Sequence, residues 1–166
     1  MGRWFRIWTL LLILFGYNGY AQTHWLQDIP KVGKLPLKIS IEYKSADKGI
    51  QIDSLTWNQA GLQALELYNE TFRYFVRESV TAENTNVYII SRIHSEEQKY
   101  WVCLFDKSNR LSDFLLAAYD NSEGFLTRES RILPQGYIEI TEYSEFEGSE
   151  EQWKYSINGL KFKKVN

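Results

Sequence analysis

The strongest constraint on this fold is the alternation of short strand-like segments and polar turns that runs from Asn84 to the C terminus. The segments are rich in aromatic and β-branched side chains, which favour extended structure. Turns this short make neighbouring strands antiparallel. The predicted strands are Val87–Ile93, Tyr100–Phe105, Leu111–Tyr119, Phe125–Leu133, Tyr137–Phe146, Trp153–Ile157 and Leu160–Val165.

These strands carry two kinds of pattern. Tyr100–Phe105 is apolar almost throughout, which predicts a strand that is buried on both faces. Tyr137–Phe146 alternates, with Ile138 and Ile140 on one side and charged or hydroxyl groups mostly on the other, which predicts one wet face. Asn158-Gly159 predicts a tight hairpin with a type I′ turn.

The first half of the chain is mixed. Leu37 to Tyr43 alternates as a strand does, whereas apolar residues between Leu62 and Val76 recur at helical spacing. We predict a helix over about 56–70, capped by Ser54 or Thr56, and leave 71–79 open between helix and strand. The predicted fold is α+β and mainly β: an antiparallel up-and-down β-meander of six to eight short strands, with one helix from the N-terminal half packed on it or capping it.

The N terminus has the pattern of an export signal. Arg3 and Arg6 precede the apolar stretch Ile7–Phe15, and the small residues Gly19 and Ala21 suit cleavage before Gln22. The apolar stretch is shorter than the roughly 20 residues that a spanning helix needs. We therefore predict a signal peptide over 1–21, an extended lead-in over 22–36 and one α+β domain over 37–166. The mature chain is expected in the periplasm or outside the cell, without a membrane span.

The net charge and the single cysteine restrict the classes of function that the sequence supports. The chain has 19 basic and 21 acidic residues, and loss of Arg3 and Arg6 with the leader leaves 17 against 21, a net charge of −4. A mildly acidic chain argues against nucleic acid as a partner. The single cysteine, Cys103, lies in the apolar run Tyr100–Phe105, so we expect a buried core residue.

The sequence contains no clear catalytic constellation, and we predict no catalytic residue, metal site or cofactor. A dyad of Cys103 with His94 is conceivable across a hairpin, but a thiol in apolar surroundings is inert. His24 lies near the predicted mature terminus. Asp120–Gly124 resembles a plain turn more than a calcium loop. These observations favour a non-enzymatic protein but leave the question of enzymatic activity open.

Aromatic and acidic side chains of the strands, the helix and the acidic turn are the candidate binding residues. They are Trp57, Trp153, Tyr137, Tyr143, Glu147, Glu150 and Glu151. The leading hypothesis is an exported soluble domain that binds a protein or glycan of the cell envelope without catalysis. The alternative is a small secreted hydrolase that uses paired carboxylates on carbohydrate. A third hypothesis is an inhibitor or immunity-type protein that acts through the loop Glu147–Glu151.

Several short stretches carry a family resemblance. They are Gly19-Tyr20-Ala21 before Gln22, the segment Tyr100–Tyr119 with its Asp106-Lys107-Ser108-Asn109 turn, and Glu123-Gly124-Phe125. Together they resemble small exported proteins of unknown function that are common in Bacteroidota. The resemblance implies the exported compartment and transfers no catalytic residue.

Overall fold

A computed structural model describes residues 25–42, 49–94, 97–120 and 125–165, so the predicted signal peptide lies outside the described residues. The described residues are mainly β, with ten strands, one short α-helix, α1 (Ser54–Gln59), and a 3-10 turn at Leu62–Ala64. The strands are β1 (Leu37–Ile39), β2 (Ile50–Ile52), β3 (Arg73–Ala82), β4 (Thr85–Ile93), β5 (Gln98–Phe105), β6 (Leu111–Asp120), β7 (Leu126–Ile132), β8 (Tyr137–Ser144), β9 (Ser149–Asn158) and β10 (Lys161–Val165). In these residues no helix has both the length and the apolar character needed to cross a membrane.

The strands form one open antiparallel sheet in the order β10-β9-β8-β7-β6-β5-β4-β3-β2. From β2 to β10 each strand pairs with its neighbour in sequence, which is the topology of an up-and-down meander. β6 pairs with β7 only at Tyr119 and Asp120, and β1 pairs with β7 at Ile132 to Ser130. The sheet has ten strands instead of six to eight because β2 was not predicted and the region of β3 was left open between helix and strand.

The predicted helix over 56–70 is too long. The α-helix ends at Gln59, and Gly61 has a φ of 74°, a left-handed conformation that interrupts helical geometry. The cap is Asp53 instead of Ser54 or Thr56, because its Oδ1 accepts a 2.7 Å hydrogen bond from the Thr56 N–H. The ambiguous segment 71–79 is largely strand β3, since its backbone pairs along β4.

One core lies between the two halves of the meander. The inner faces of β3–β6 and of β7–β9 contribute to a single apolar cluster, which β1 joins through Ile39. Its largest fully buried side chains include Ile89, Leu104, Ile132 and Ile138. Burial of these aliphatic groups holds the two halves together.

A second core covers the opposite face of β3–β6. Trp57 of α1, Leu62, Ile52 of β2 and the segment containing Leu26 and Ile29 pack there against the sheet. The lead-in is therefore anchored by its side chains, and the Ser79 N–H also donates a 2.8 Å hydrogen bond to a lead-in carbonyl. β5 contributes to both cores and is buried on both faces, as its apolar run predicts.

The hairpin turns differ in detail from their predictions. Asn158 pairs with Lys161, so the last turn is Gly159-Leu160. Only Gly159 of these residues has a positive φ, which fits a type II′ turn instead of type I′. The predicted acidic turn Glu147–Glu151 is also shorter, because β9 already begins at Ser149.

Candidate functional site

One sheet surface is made of exposed and half-exposed polar side chains. It is the side of β1 and β7–β10 that points away from the core, and we call it the outer face. Side chains alternate along a strand, so the register assigns each residue to a face. The outer face includes Lys38, Thr127, Glu129, Arg131, Tyr137, Glu139, Thr141, Tyr143, Glu150, Gln152, Lys154, Ser156, Lys163 and Val165.

Two adjoining depressions run along the outer face. The larger, of about 670 Å³, is lined on this face by Lys38, Glu129, Arg131, Glu139, Thr141, Gln152, Lys154 and Val165. The smaller, of about 410 Å³, extends the surface to Tyr143 and Glu150. Lys38, Glu129 and Thr141 line both, so the two depressions form one continuous groove. Each volume is in the usual range of small-ligand sites.

Two lysine–carboxylate ion pairs cross the floor of the groove. Lys38 Nζ lies 2.7 Å from Glu129 Oε2, and Lys154 Nζ lies 3.2 Å from Glu139 Oε1. Arg131 lies directly opposite both Lys38 and Glu139 in the ladder. It forms no ion pair with any residue that the structure describes. The larger depression therefore has three cations against two carboxylates, a formal charge of +1, and the smaller depression adds the carboxylates of Glu42 and Glu150 and the guanidinium of Arg128.

The structure brings three of the seven predicted binding residues to this groove or its end. Tyr137, Tyr143 and Glu150 share the outer face, and Tyr143 is 46% exposed. The Lys154 ammonium lies 4.5 Å from the centre of the Tyr137 ring. Tyr143 lies opposite Glu150 across β8 and β9 at the other end.

The other four predicted side chains point elsewhere, although Trp153 is also among the residues that line the larger depression. Trp153 and Glu151 are on the inner side of β9, where the Arg128 guanidinium lies 5.4 Å from the Trp153 ring centre. Glu147 is exposed in the β8–β9 turn. Trp57 is fully buried and packs 4.3 Å from the Tyr74 ring, centre to centre, so it is not available on the surface.

The sequence prediction missed the charged floor of the groove. Glu129 and Arg131 alternate with buried residues of β7, and this alternation was a usable signal. Nothing local indicated that Lys38 of β1 would stand beside β7, more than ninety residues further along the chain. Such non-local pairing is decided by tertiary structure.

The acidic residues of β8 are divided between the two faces. Glu142 is on the inner side and forms an ion pair with Arg128. Glu139 shares the groove with Glu129, which lies diagonally across the β7–β8 ladder. Diagonal neighbours in a sheet are about 7–8 Å apart. The two carboxylates thus share the groove, and each is turned toward its own lysine, Lys38 on β1 or Lys154 on β9.

Cys103 and His94 do not form a dyad. Cys103 is fully buried, and its pKa is raised well above the ordinary value, mainly by burial and also by the charge of Asp113. Its ladder partner on β4 is Tyr88, six residues or about 20 Å from His94. His94 is exposed, with its ring 5.2 Å from that of Phe72.

No group of three His, Cys, Asp or Glu side chains among the described residues is arranged to hold a metal ion. Residues 121–124 of the predicted turn Asp120–Gly124 lie outside the described residues.

A second ionic cluster lies beside the second core. Arg92 of β4 contacts Glu66 Oε2 at 3.1 Å and Glu97 Oε2 at 2.5 Å, and Lys99 lies 3.3 Å from Glu97 Oε1. Burial opposes ionisation of Glu97, but its bonds to Arg92 and Lys99 outweigh burial and lower its pKa. This cluster ties the segment after the 3-10 turn to the sheet, which is a structural role.

Comparison with known proteins found no matching family model, and neither the curated proteins nor the solved structures gave a match.

Proposed function

We propose that this chain is an exported, non-enzymatic binding domain that holds a component of the cell envelope in the groove of its outer face. Export is inferred from the N-terminal pattern of Arg3, Arg6 and Ile7–Phe15. The observation that carries the binding function is the continuous groove, which has Tyr143 at one end and hydrogen-bonding groups along its floor.

The groove suits an extended ligand. Tyr137 and Tyr143 are six residues apart on β8, which corresponds to about 20 Å along a strand. Between them, Thr141 and Gln152 provide a hydroxyl and an amide that can donate or accept hydrogen bonds. The ring of Tyr143, almost half exposed, provides an amphipathic contact surface.

Retention of envelope material by the immobilised mature chain tests this function. We expect the wild type to retain a component that the double variant Tyr143→Ala/Gln152→Ala does not retain. Leu67→Ala is the matched control, because Leu67 is 83% exposed and lies outside the groove. Equal retention by the double variant and the wild type would contradict the proposal.

The paired carboxylates support a second candidate, a carboxylate-dependent hydrolase of carbohydrate. Glu129 and Glu139 share the groove, although each is already engaged by a lysine. On this hypothesis Glu139→Gln abolishes the release of reducing ends from a polysaccharide but leaves binding of that polysaccharide intact. Absence of any such release by the wild-type chain on neutral and acidic polysaccharides would dismiss the enzyme.

A further inference from the structure

We propose that Arg131 is the anion-recognition residue of the groove and that the ligand is an acidic glycan, a sugar chain that carries carboxylate or phosphate groups. This inference rests on the proposed binding function and specifies its chemistry.

The ladder register places Arg131 between a like charge and a carboxylate that is already paired with a lysine. It stands directly opposite Lys38 on one side, and like charges directly opposite each other destabilise a sheet. On its other side stands Glu139, whose carboxylate is paired with Lys154. Arg131 is exposed and forms no ion pair within the described residues, so its guanidinium is available to a ligand.

An arginine in this position favours an oxyanion with two acceptor oxygens. The guanidinium is planar, always charged and presents parallel N–H groups that match a carboxylate or a phosphate. Lys38 and Lys154 line the same depression, but each is paired with a carboxylate, so Arg131 supplies the excess positive charge there. The excess of one positive charge belongs to the larger depression alone, and the mature chain as a whole is predicted to be −4, so the positive site is local to Arg131.

The rest of the groove favours a sugar chain over a protein as the carrier of the anion. The fully buried centres of protein interfaces are depleted in charged residues. Here the floor has five charged side chains together with Thr141 and Gln152, which suit hydroxyl-rich ligands. Tyr143 lies four residues beyond Glu139, the ladder partner of Arg131, which corresponds to about 13 Å along β8. Its ring offers a stacking surface to a sugar further along the glycan.

Calorimetric titration of the mature chain tests the inference with four probes. Oligogalacturonate carries carboxylates, its methyl-esterified form is neutral, phosphorylated dextran carries phosphates, and poly-glutamate presents carboxylates on a peptide. We expect one of the two acidic glycans to bind at least about tenfold more tightly than the neutral one, with an affinity that falls as salt is added. Which acidic glycan binds identifies the anion.

Variants of Arg131 then locate the contact. Arg131→Gln is expected to reduce the affinity about tenfold or more. Arg131→Lys is expected to reduce it to an intermediate degree, because the positive charge remains but the two parallel N–H groups of the guanidinium are lost. Arg110→Gln is the matched control, since Arg110 is exposed in the β5–β6 turn. Far-ultraviolet circular dichroism shows whether each variant is folded.

Equal binding of acidic and neutral glycans, an Arg131→Gln variant with wild-type affinity, or tight binding of poly-glutamate alone would each overturn the inference. The proposed function fails separately, because it requires that envelope material be retained through Tyr143 and Gln152. Retention that depends on those residues, without preference for an acidic glycan, would refute only the role of Arg131.

Discussion

The two halves of the sheet differ in how many of their faces are covered. In β3–β6 both faces are buried, one under the other half of the meander and one under α1 and the lead-in. In β7–β10 only the inner face belongs to a core, and the outer face carries the groove. The same antiparallel ladder therefore serves as a scaffold where both of its faces are covered and as a surface where only one face is covered.

The number of covered faces also decides how far charged side chains are buried in each half. The Arg92 side chain is 5% exposed, and its ion pairs replace the water that it has lost. The Lys38–Glu129 pair is about half exposed on each side, where water already solvates both groups. Ion pairs of similar length are therefore expected to differ in their contribution to stability.

Arg92→Ala should produce the largest effect. It leaves Glu66 and Glu97 without their buried partner, so we expect the free energy of unfolding to fall by about 3 kcal/mol or more. Lys38→Ala, its counterpart on the outer face, should cost less than about 1 kcal/mol. Urea denaturation of both variants measures the difference, and similar losses would remove the energetic contrast between the halves.

Tyr74→Phe should change the alkaline limit of stability. Burial, reinforced by the charge of Glu66, raises the pKa of Tyr74 to about 12. An unfolded tyrosine ionises near pH 10, so the folded state holds a proton that the unfolded state has already lost between these values. The wild type should therefore lose about 2 kcal/mol relative to Tyr74→Phe as the pH rises from 10 to 12.

The check is urea denaturation of both proteins across that pH range, compared as a difference so that other titrating groups cancel. A difference that stays constant with pH would show that Tyr74 ionises in the folded state as it does in the unfolded chain.

Asp53→Ala should have the smallest of these effects. Asp53 caps α1, which covers the second core, and loss of a capping side chain costs about 1 kcal/mol. The hydrogen bond from the Thr56 backbone lowers the pKa of Asp53, so the contribution is present above its unfolded pKa and is lost as the pH falls. Thermal unfolding at pH 7 and at pH 3 should show a smaller difference between variant and wild type at pH 3. Asp53→Asn, which keeps a capping oxygen, is the control.

The sequence was most informative where a strand's burial follows directly from its own pattern. Tyr100–Phe105 predicted two buried faces, and the alternation around Ile138 and Ile140 predicted one wet face. Both predictions are confirmed, because side-chain direction in a strand follows a period of two regardless of its partners.

Prediction failed where a helical pattern and a strand pattern overlap in the same residues. It also failed where the contacting residues are distant in sequence. The helical spacing from Leu62 to Val76 continued past Gly61, whose left-handed backbone ends the helical region, and β3 gained a ladder with β4 instead. Of the residues on the outer face, the sequence prediction named Tyr137, Tyr143 and Glu150 but not Lys38 or Arg131. Their proximity depends on β1 returning to β7.

By itself the sequence determined the antiparallel meander, the inward and outward sides of its strands and the burial of Cys103, because these follow from local periodicity and the length of turns. Only the tertiary structure decided that the meander folds over itself, that β1 completes the edge of β7 and that Arg131 stands between Lys38 and an already paired Glu139. Those arrangements depend on non-local packing, whose free energy is shared among residues that the linear sequence separates widely.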